Sequence, residues 1–138
     1  MCRHSSRSFL GDGEAPRRSR AFVAESALAV IGSARPVIDD LALVCSELVT
    51  NAVRAGSPTL DVALDIHHSL IYLAVSDTAV GLPGERVAQP ADENGRGLLI
   101  VAALTRNLVV RGESGAKTVS AELPVVPALT ESDFHCDL

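Results

Sequence analysis

The stretch LALVCSELVTNAVRAG, residues 41 to 56, most constrains what this chain folds into. At about 100° per residue, Leu41, Ala42, Val44, Cys45, Leu48, Val49, Ala52, Val53 and Ala55 cover more than half of a helix circumference. A helix so apolar is buried on most sides and has little polar surface to spare. The remaining wedge holds Ser46, Glu47, Thr50, Asn51 and Arg54. Asn51 lies at the edge of the apolar arc with Glu47 beside it, because positions i and i+4 share a face. An acid and an amide one turn apart are able to hold a ligand and a metal together.

Around this stretch the period of the sequence changes twice. Residues 1 to 13 are polar and glycine-containing; a short edge strand is expected near Arg7 to Leu10, and the first residues are expected to be mobile. From Pro16 the residues Phe22, Val23, Ser26, Ala27, Val30 and Ile31 recur at helical spacing, and Gly32 is the expected stop. Pro36 opens the second helix, whose first turns carry Asp39 and Asp40 at the positive end of the dipole, and Gly56-Ser57-Pro58 closes it. Leu60, Val62, Leu64 and Ile66 then alternate with Asp61, Ala63 and Asp65, which is the mark of a half-buried strand. A turn at His67-His68-Ser69 leads into Ile71, Leu73 and Val75, so the two runs form an antiparallel hairpin.

Residues 78 to 96 lose periodicity, and a connection of that length inside a compact domain is usually functional or mobile. A short apolar helix is expected to begin at Gly97 and run from Leu98 to Thr105. A strand near Leu108 to Arg111 and a last strand with Val119, Ala121 and Leu123 facing inward follow it. Strands that arrive as hairpins imply an α+β sandwich, one largely antiparallel sheet with helices on one face. The reading divides the chain into a flexible segment 1–13, a domain 14–124 and a tail 125–138.

Composition narrows the function. The chain has 138 residues and 47% apolar content but only 3% aromatics, so its core is aliphatic. A net charge of -5 without a basic stripe argues against a nucleic-acid surface. Cys2, Cys45 and Cys136 show no CxxC or Cys/His spacing, and neither a disulfide framework nor a zinc site is expected. There is no apolar run of transmembrane length and no secretory-type apolar region at the N-terminus, so a cytoplasmic protein is expected.

Taken one at a time, the polar candidates have ordinary explanations. Glu47 and Asn51 suit a proton acceptor and a neutral oxygen ligand for Mg2+, yet a polar helix edge with Glu47 paired to Arg54 would look the same. Asp77 ends an apolar strand, where it either accepts hydrogen bonds from an exocyclic amine or simply starts a turn. Gly95 and Gly97 before an apolar helix suit an anion cradle or a plain helix entry, and Arg96 between them meets a phosphate or the solvent. GESGAKT, residues 112 to 118, lacks the GxxxxGK[ST] spacing and precedes a strand, so it reads as a turn, with Thr118 left as a pocket hydroxyl.

In order, however, ELVTNAV at 47 to 53, DTAVGLP at 77 to 83, GRGL at 95 to 98 and AKT at 116 to 118 resemble the N, G1 and G2 boxes and last-strand motif of the GHKL ATP-binding fold. More narrowly, they resemble the RsbW-like anti-sigma-factor serine kinases of actinomycetes. The resemblance implies a Bergerat-type two-layer sandwich and a cytoplasmic, ATP- and Mg2+-dependent protein serine/threonine kinase. Its partner would be a sigma factor or a STAS-like anti-sigma antagonist, and the resembled group commonly dimerises. Carried over residue by residue, Glu47 would be the general base and Asn51 the Mg2+ ligand. Arg54 would join the cofactor-binding set, Asp77 would bind the adenine amine, and Gly81 would let the backbone approach the base. Gly95, Arg96, Gly97 and Leu98 would form the phosphate end of a lid over residues 82 to 96, with Thr118 adding a contact near Asp77. Ala79 stands where the G1 box usually has its first glycine, and Ala55 where many relatives have a His. The lid is also short and poor in Lys and Arg, and a non-catalytic, nucleotide-gated protein-binding module is the alternative that Ala79 and this sparse lid suggest. A sensor-kinase catalytic piece is disfavoured, because no phospho-accepting His lies on a helix.

Overall fold

The computed structural model describes residues 2–32, 36–67, 69–78, 84–87, 95–113 and 115–125. In chain order these form β1 (Cys2–Leu10), α1 (Ala15–Ile31), α2 (Pro36–Arg54), β2 (Thr59–His67), β3 (Leu70–Asp77), β4 (Gly84–Val87), α3 (Gly95–Leu104), β5 (Arg106–Glu113) and β6 (Ala116–Pro124). The strands make one sheet ordered β1-β2-β3-β6-β5-β4, antiparallel at every pairing. The architecture is the expected α+β sandwich of one antiparallel sheet and a helical layer.

Local chemistry places the helix ends. Pro16 sits in the first turn of α1, where a missing N–H costs nothing, and Gly32 ends it at φ 85 with its N–H donating to the Leu28 carbonyl. Gly56, at φ 88, turns the chain out of α2 while donating to the Val53 carbonyl. A side chain at that φ would be strained, so glycine is required there.

Alternation on the three central strands builds the core. Leu60, Val62, Leu64 and Ile66 of β2, Ile71, Leu73 and Val75 of β3, and Val119, Ala121 and Leu123 of β6 are all buried on the helix side. Against them α2 buries Leu41, Val44, Cys45, Leu48 and Val49, while α1 adds Phe22, Val23 and Ala27. Each fully buried aliphatic of this size contributes roughly 1.5–3 kcal/mol of transfer free energy. On the other face of the sheet, Asp61, Ala63, Asp65, Tyr72, Ala74 and Ser76 remain exposed or half-buried.

Four details differ from the sequence expectation. The strand expected at Arg7 to Leu10 begins at Cys2, so the polar start of the chain is a nine-residue edge strand paired along its length with β2. Its cross-strand contacts are polar: His4 Nδ1 lies 2.6 Å from Asp65 Oδ1, and the Ser8 hydroxyl donates to Asp61. Phe9 anchors the inner side edge-on to Phe22, 6.1 Å between centroids, with the Arg7 guanidinium 4.9 Å from the same Phe22 ring. Second, the stretch read as an aperiodic lid contains β4, which closes the far edge against β5. Third, α3 starts at Gly95, two residues early, so both glycines lie inside its first turn. Fourth, Cys2 is disulfide-bonded, because pairing depends on distance in the folded chain, which spacing along the sequence does not report.

One junction ties β1 to the α2–β2 turn. The Gly11 N–H donates to the Pro58 carbonyl at 2.9 Å, and a Cβ on Gly11 would fall 1.7 Å from the Ser57 carbonyl oxygen. A Cβ on Gly13 would meet nothing within 4 Å. Gly11→Ala is therefore expected to destabilise by about 1–3 kcal/mol, and Gly13→Ala to stay within about 0.5 kcal/mol, in urea unfolding at unchanged m-value.

Candidate functional site

The burial of α2 places its two polar groups differently. Asn51 is 6% exposed and belongs to the buried face, while Glu47, one turn earlier, is half-buried. The Asn51 Nδ2 is buried with no hydrogen-bond partner among the described residues. A buried amide without a partner costs about 1–3 kcal/mol, so its place in the core asks for a reason.

The first turn of α3 supplies the surroundings. Gly97 is buried against α2, and a Cβ there would lie 3.0 Å from Glu47 Oε2 and 3.7 Å from both Asn51 Nδ2 and Oδ1. The third residue of α3 thus lies directly over the acid and amide, and glycine is what leaves the space between them open. Leu98, the next residue, is 1% exposed and fixes the turn in the core. The first N–H groups of a helix have no intrahelical acceptor and lie at the positive end of its dipole. An amide with an unfilled bonding position, a carboxylate and a helix start converge here. The Asn51 Nδ2 and the helix N–H groups are donors, which suits a phosphate oxygen, while the Asn51 carbonyl oxygen is of the kind Mg2+ takes beside phosphates and water.

Asp77 and its register partner stand at one end of the sheet. The pairing of β3 with β6 sets Asp77 opposite Lys117, both on the helix side, at the level of Leu60 where β2 begins. Asp77 is 4% and Lys117 9% exposed, and Lys117 Nζ lies 3.9 Å from Asp77 Oδ2. Because α2 ends at Arg54 and β2 starts at Thr59, this is the end of the sheet next to the C-terminal turns of α2 that carry Asn51.

The other candidates fall in different places. Thr118 is not beside Asp77: side chains alternate along β6, so it lies on the opposite face, its Oγ1 2.9 Å from the Ser76 hydroxyl. There it lines a shallow concavity of about 320 Å³ with Ala74, Val109, Arg111 and Ser120. Arg54 is exposed in the last turn of α2, and no ion pair joins it to Glu47 among the described residues. Gly95 and Arg96 belong to the first turn of α3, and Gly81 lies outside the described residues. A second concavity of about 490 Å³, between β1 and α1, is lined by Arg7, Phe9, Arg17, Arg18 and Phe22 and contains none of the candidates. Lys117 was missed by the sequence reading, although its signal was present. With Val119, Ala121 and Leu123 facing inward, parity puts residue 117 inward as well.

Cys45 is the other reactive side chain on α2. It is fully buried among the core aliphatics, and burial pushes its thiol up to about 12, against smaller opposing effects of a Ser19 hydrogen bond and the Arg20 charge. A thiol held protonated is no nucleophile. The folded state binds this proton more tightly than the unfolded chain, so the associated stability is complete below pH 9.0 and is lost as pH rises toward about 12. Cys45 is expected to resist alkylation near pH 9 in the native protein and to react at once in denaturant, as followed by mass spectrometry.

No curated protein matches this chain. A crystal structure of the RsbU and RsbW domains of Rv1364c from Mycobacterium tuberculosis is similar to it in fold, with a TM-score of 0.65 at 22% identity. The similarity covers 88% of this chain and 32% of that one, so this chain spans about a third of its length. No helix among the described residues is long and apolar enough to cross a membrane. Residues 12–122 match the histidine kinase-like ATPase domain, and the chain belongs to that family.

Proposed function

We propose that the protein is an ATP- and Mg2+-dependent regulator of the anti-sigma-factor serine kinase type, acting in the cytoplasm on a sigma factor or a STAS-like antagonist. The observation that carries this reading is the buried, unpartnered amide of Asn51 beside Glu47, under the glycine of the α3 start. Membership of an ATPase domain family and a fold shared with a structure containing an RsbW domain support it.

In this reading Asn51 would hold Mg2+ through its amide oxygen while its Nδ2, the unpartnered atom, donates to a phosphate oxygen, and the first turn of α3, Gly95 to Leu98, would face the phosphates with its N–H groups. Bound ATP-Mg2+ supplies the transferable γ-phosphoryl group and neutralises charge that develops on its oxygens. Asp77 accepts a hydrogen bond from the adenine amine. Glu47, half-buried against Gly97, takes the proton of a partner serine as that hydroxyl oxygen bonds to the γ-phosphorus and the bond from that phosphorus to the β–γ bridging oxygen breaks, leaving ADP. Gly81 and Arg54 would complete the nucleotide-binding set at the base and at the end of α2.

A second reading, a nucleotide-gated binding module without turnover, is favoured by one observation: Ala79 stands where the first glycine of the G1 box is usual. Titration separates the two, since gating requires that nucleotide and partner alter each other's affinity by the same factor. Wild type is expected to bind ATP in an Mg2+-dependent way. Asn51→Ala should lose at least about tenfold of that affinity, and Glu47→Gln should keep binding while losing about 10²–10⁴-fold in phosphoryl transfer to a partner serine. Calorimetry and phosphopeptide mass spectrometry read the two effects. Because a disulfide at Cys2 is unusual in a reducing compartment, both are measured with and without reductant. Absence of ATP binding in both conditions would end the proposal.

A further inference from the structure

The Asp77–Lys117 pair is the least expected feature of the inner sheet face. Lysine is among the residues least often buried, and a buried ammonium is costly unless compensated. Here it is 9% exposed, level with a carboxylate that is 4% exposed, on adjacent central strands. Register enforces the juxtaposition: Ser76 and Thr118, one position along each strand, face the opposite way and bond to each other. Neither side chain of the pair can leave the inner face without a slip of the β3–β6 ladder.

We propose that Lys117 is a second base-reading residue, acting with Asp77 as a matched donor and acceptor for the edge of a purine. The inference rests on the nucleotide reading above. Its chemistry follows from the inventory of the two groups. A carboxylate is acceptor-only with about four lone-pair sites, and an ammonium carries three donors, so each can engage its neighbour and a ligand together. The 3.9 Å separation is an ion pair longer than a hydrogen bond, so this contact places the ammonium beside the carboxylate without occupying the Oδ2 lone pair by a direct bond. The amino edge of adenine presents the complement: an N–H donor on the exocyclic amine and acceptor ring nitrogens flanking it, N7 among them. With the amine on Asp77, Lys117 donates to the adjoining ring nitrogen. The same ammonium lowers the cost of keeping the Asp77 carboxylate ionised beneath a bound base, where water is excluded.

The test compares ATP with two analogues, 1-deaza-ATP and 7-deaza-ATP, each lacking one ring-nitrogen acceptor, on wild type and on Lys117→Met, which keeps the length of the side chain. Calorimetry with Mg2+ is expected to show one analogue binding wild type about 10- to 100-fold more weakly than ATP, as loss of a hydrogen bond from a charged donor predicts. In Lys117→Met, ATP should fall by a similar factor and the difference between ATP and that analogue should vanish. Both analogues binding wild type as tightly as ATP would overturn the role of Lys117 and leave the nucleotide reading intact. Tighter ATP binding by Lys117→Met would also overturn it, making the lysine a competitor for Asp77. If wild type binds no nucleotide at all, the nucleotide reading itself falls and this inference with it. The analogue comparison on wild type needs no substitution, so a Lys117→Met protein that fails to fold does not remove the test.

Discussion

The packing of α2 onto the inner faces of β3 and β6 is the contact on which the rest of the structure depends. It buries Leu41, Val44, Leu48 and Val49 against the strands that carry Ile71, Leu73, Val75, Val119 and Ala121. Because more than half of the helix circumference is apolar, it has to be covered by the sheet on one side and by α1 and α3 on the others. That requirement draws the first turn of α3 down onto the polar edge of α2. Burial of the helix and assembly of the site are thus one event: the same packing that hides Leu48 brings Gly97 over Glu47 and Asn51.

Much of this arrangement was legible in the sequence because its signals are local. The helix starts at Pro16 and Pro36, the stops at Gly32 and Gly56, and the alternation of β2 follow from backbone chemistry acting within a few residues. The two edge strands were less legible. Most of β1 is Arg, His and Ser, which as a sequence resembles a loose terminus, and it holds through partners such as Asp61, Asp65 and Phe22 that lie far along the chain. β4 has four residues and offers too short a window for any period to show. In the site, Glu47 and Asn51 share a face as their spacing suggested, and Gly97, which only the resemblance set near them, lies over both, whereas Thr118 was separated from Asp77 by a single step of strand parity. Lysine is read by habit as a surface residue, and that habit hid Lys117 although Val119, Ala121 and Leu123 already fixed its side.

The distribution of buried polar groups gives the strongest physical reason to connect these residues. Five polar or charged residues are buried among those described: Ser19, Asn51, Ser57, Asp77 and Lys117. Ser19 has a structural explanation, since its hydroxyl donates to the Pro16 carbonyl at 3.1 Å within the first turns of α1. Ser57 lies in the turn that joins α2 to β2, where its N–H closes onto the Ala52 carbonyl. The other three carry an amide, a carboxylate and an ammonium, which a core has no use for by itself. An apolar residue at any of these three positions would avoid their desolvation cost. All three sit on α2, β3 and β6, the elements whose mutual packing forms the core, so exposure to solvent was never their role. The Asn51 Nδ2 has no partner among the described residues, and the Asp77–Lys117 ion pair lies in the same packing layer. A nucleotide, with a phosphate end that takes Mg2+ and a hydrogen-bonding base, is the ligand proposed for those groups.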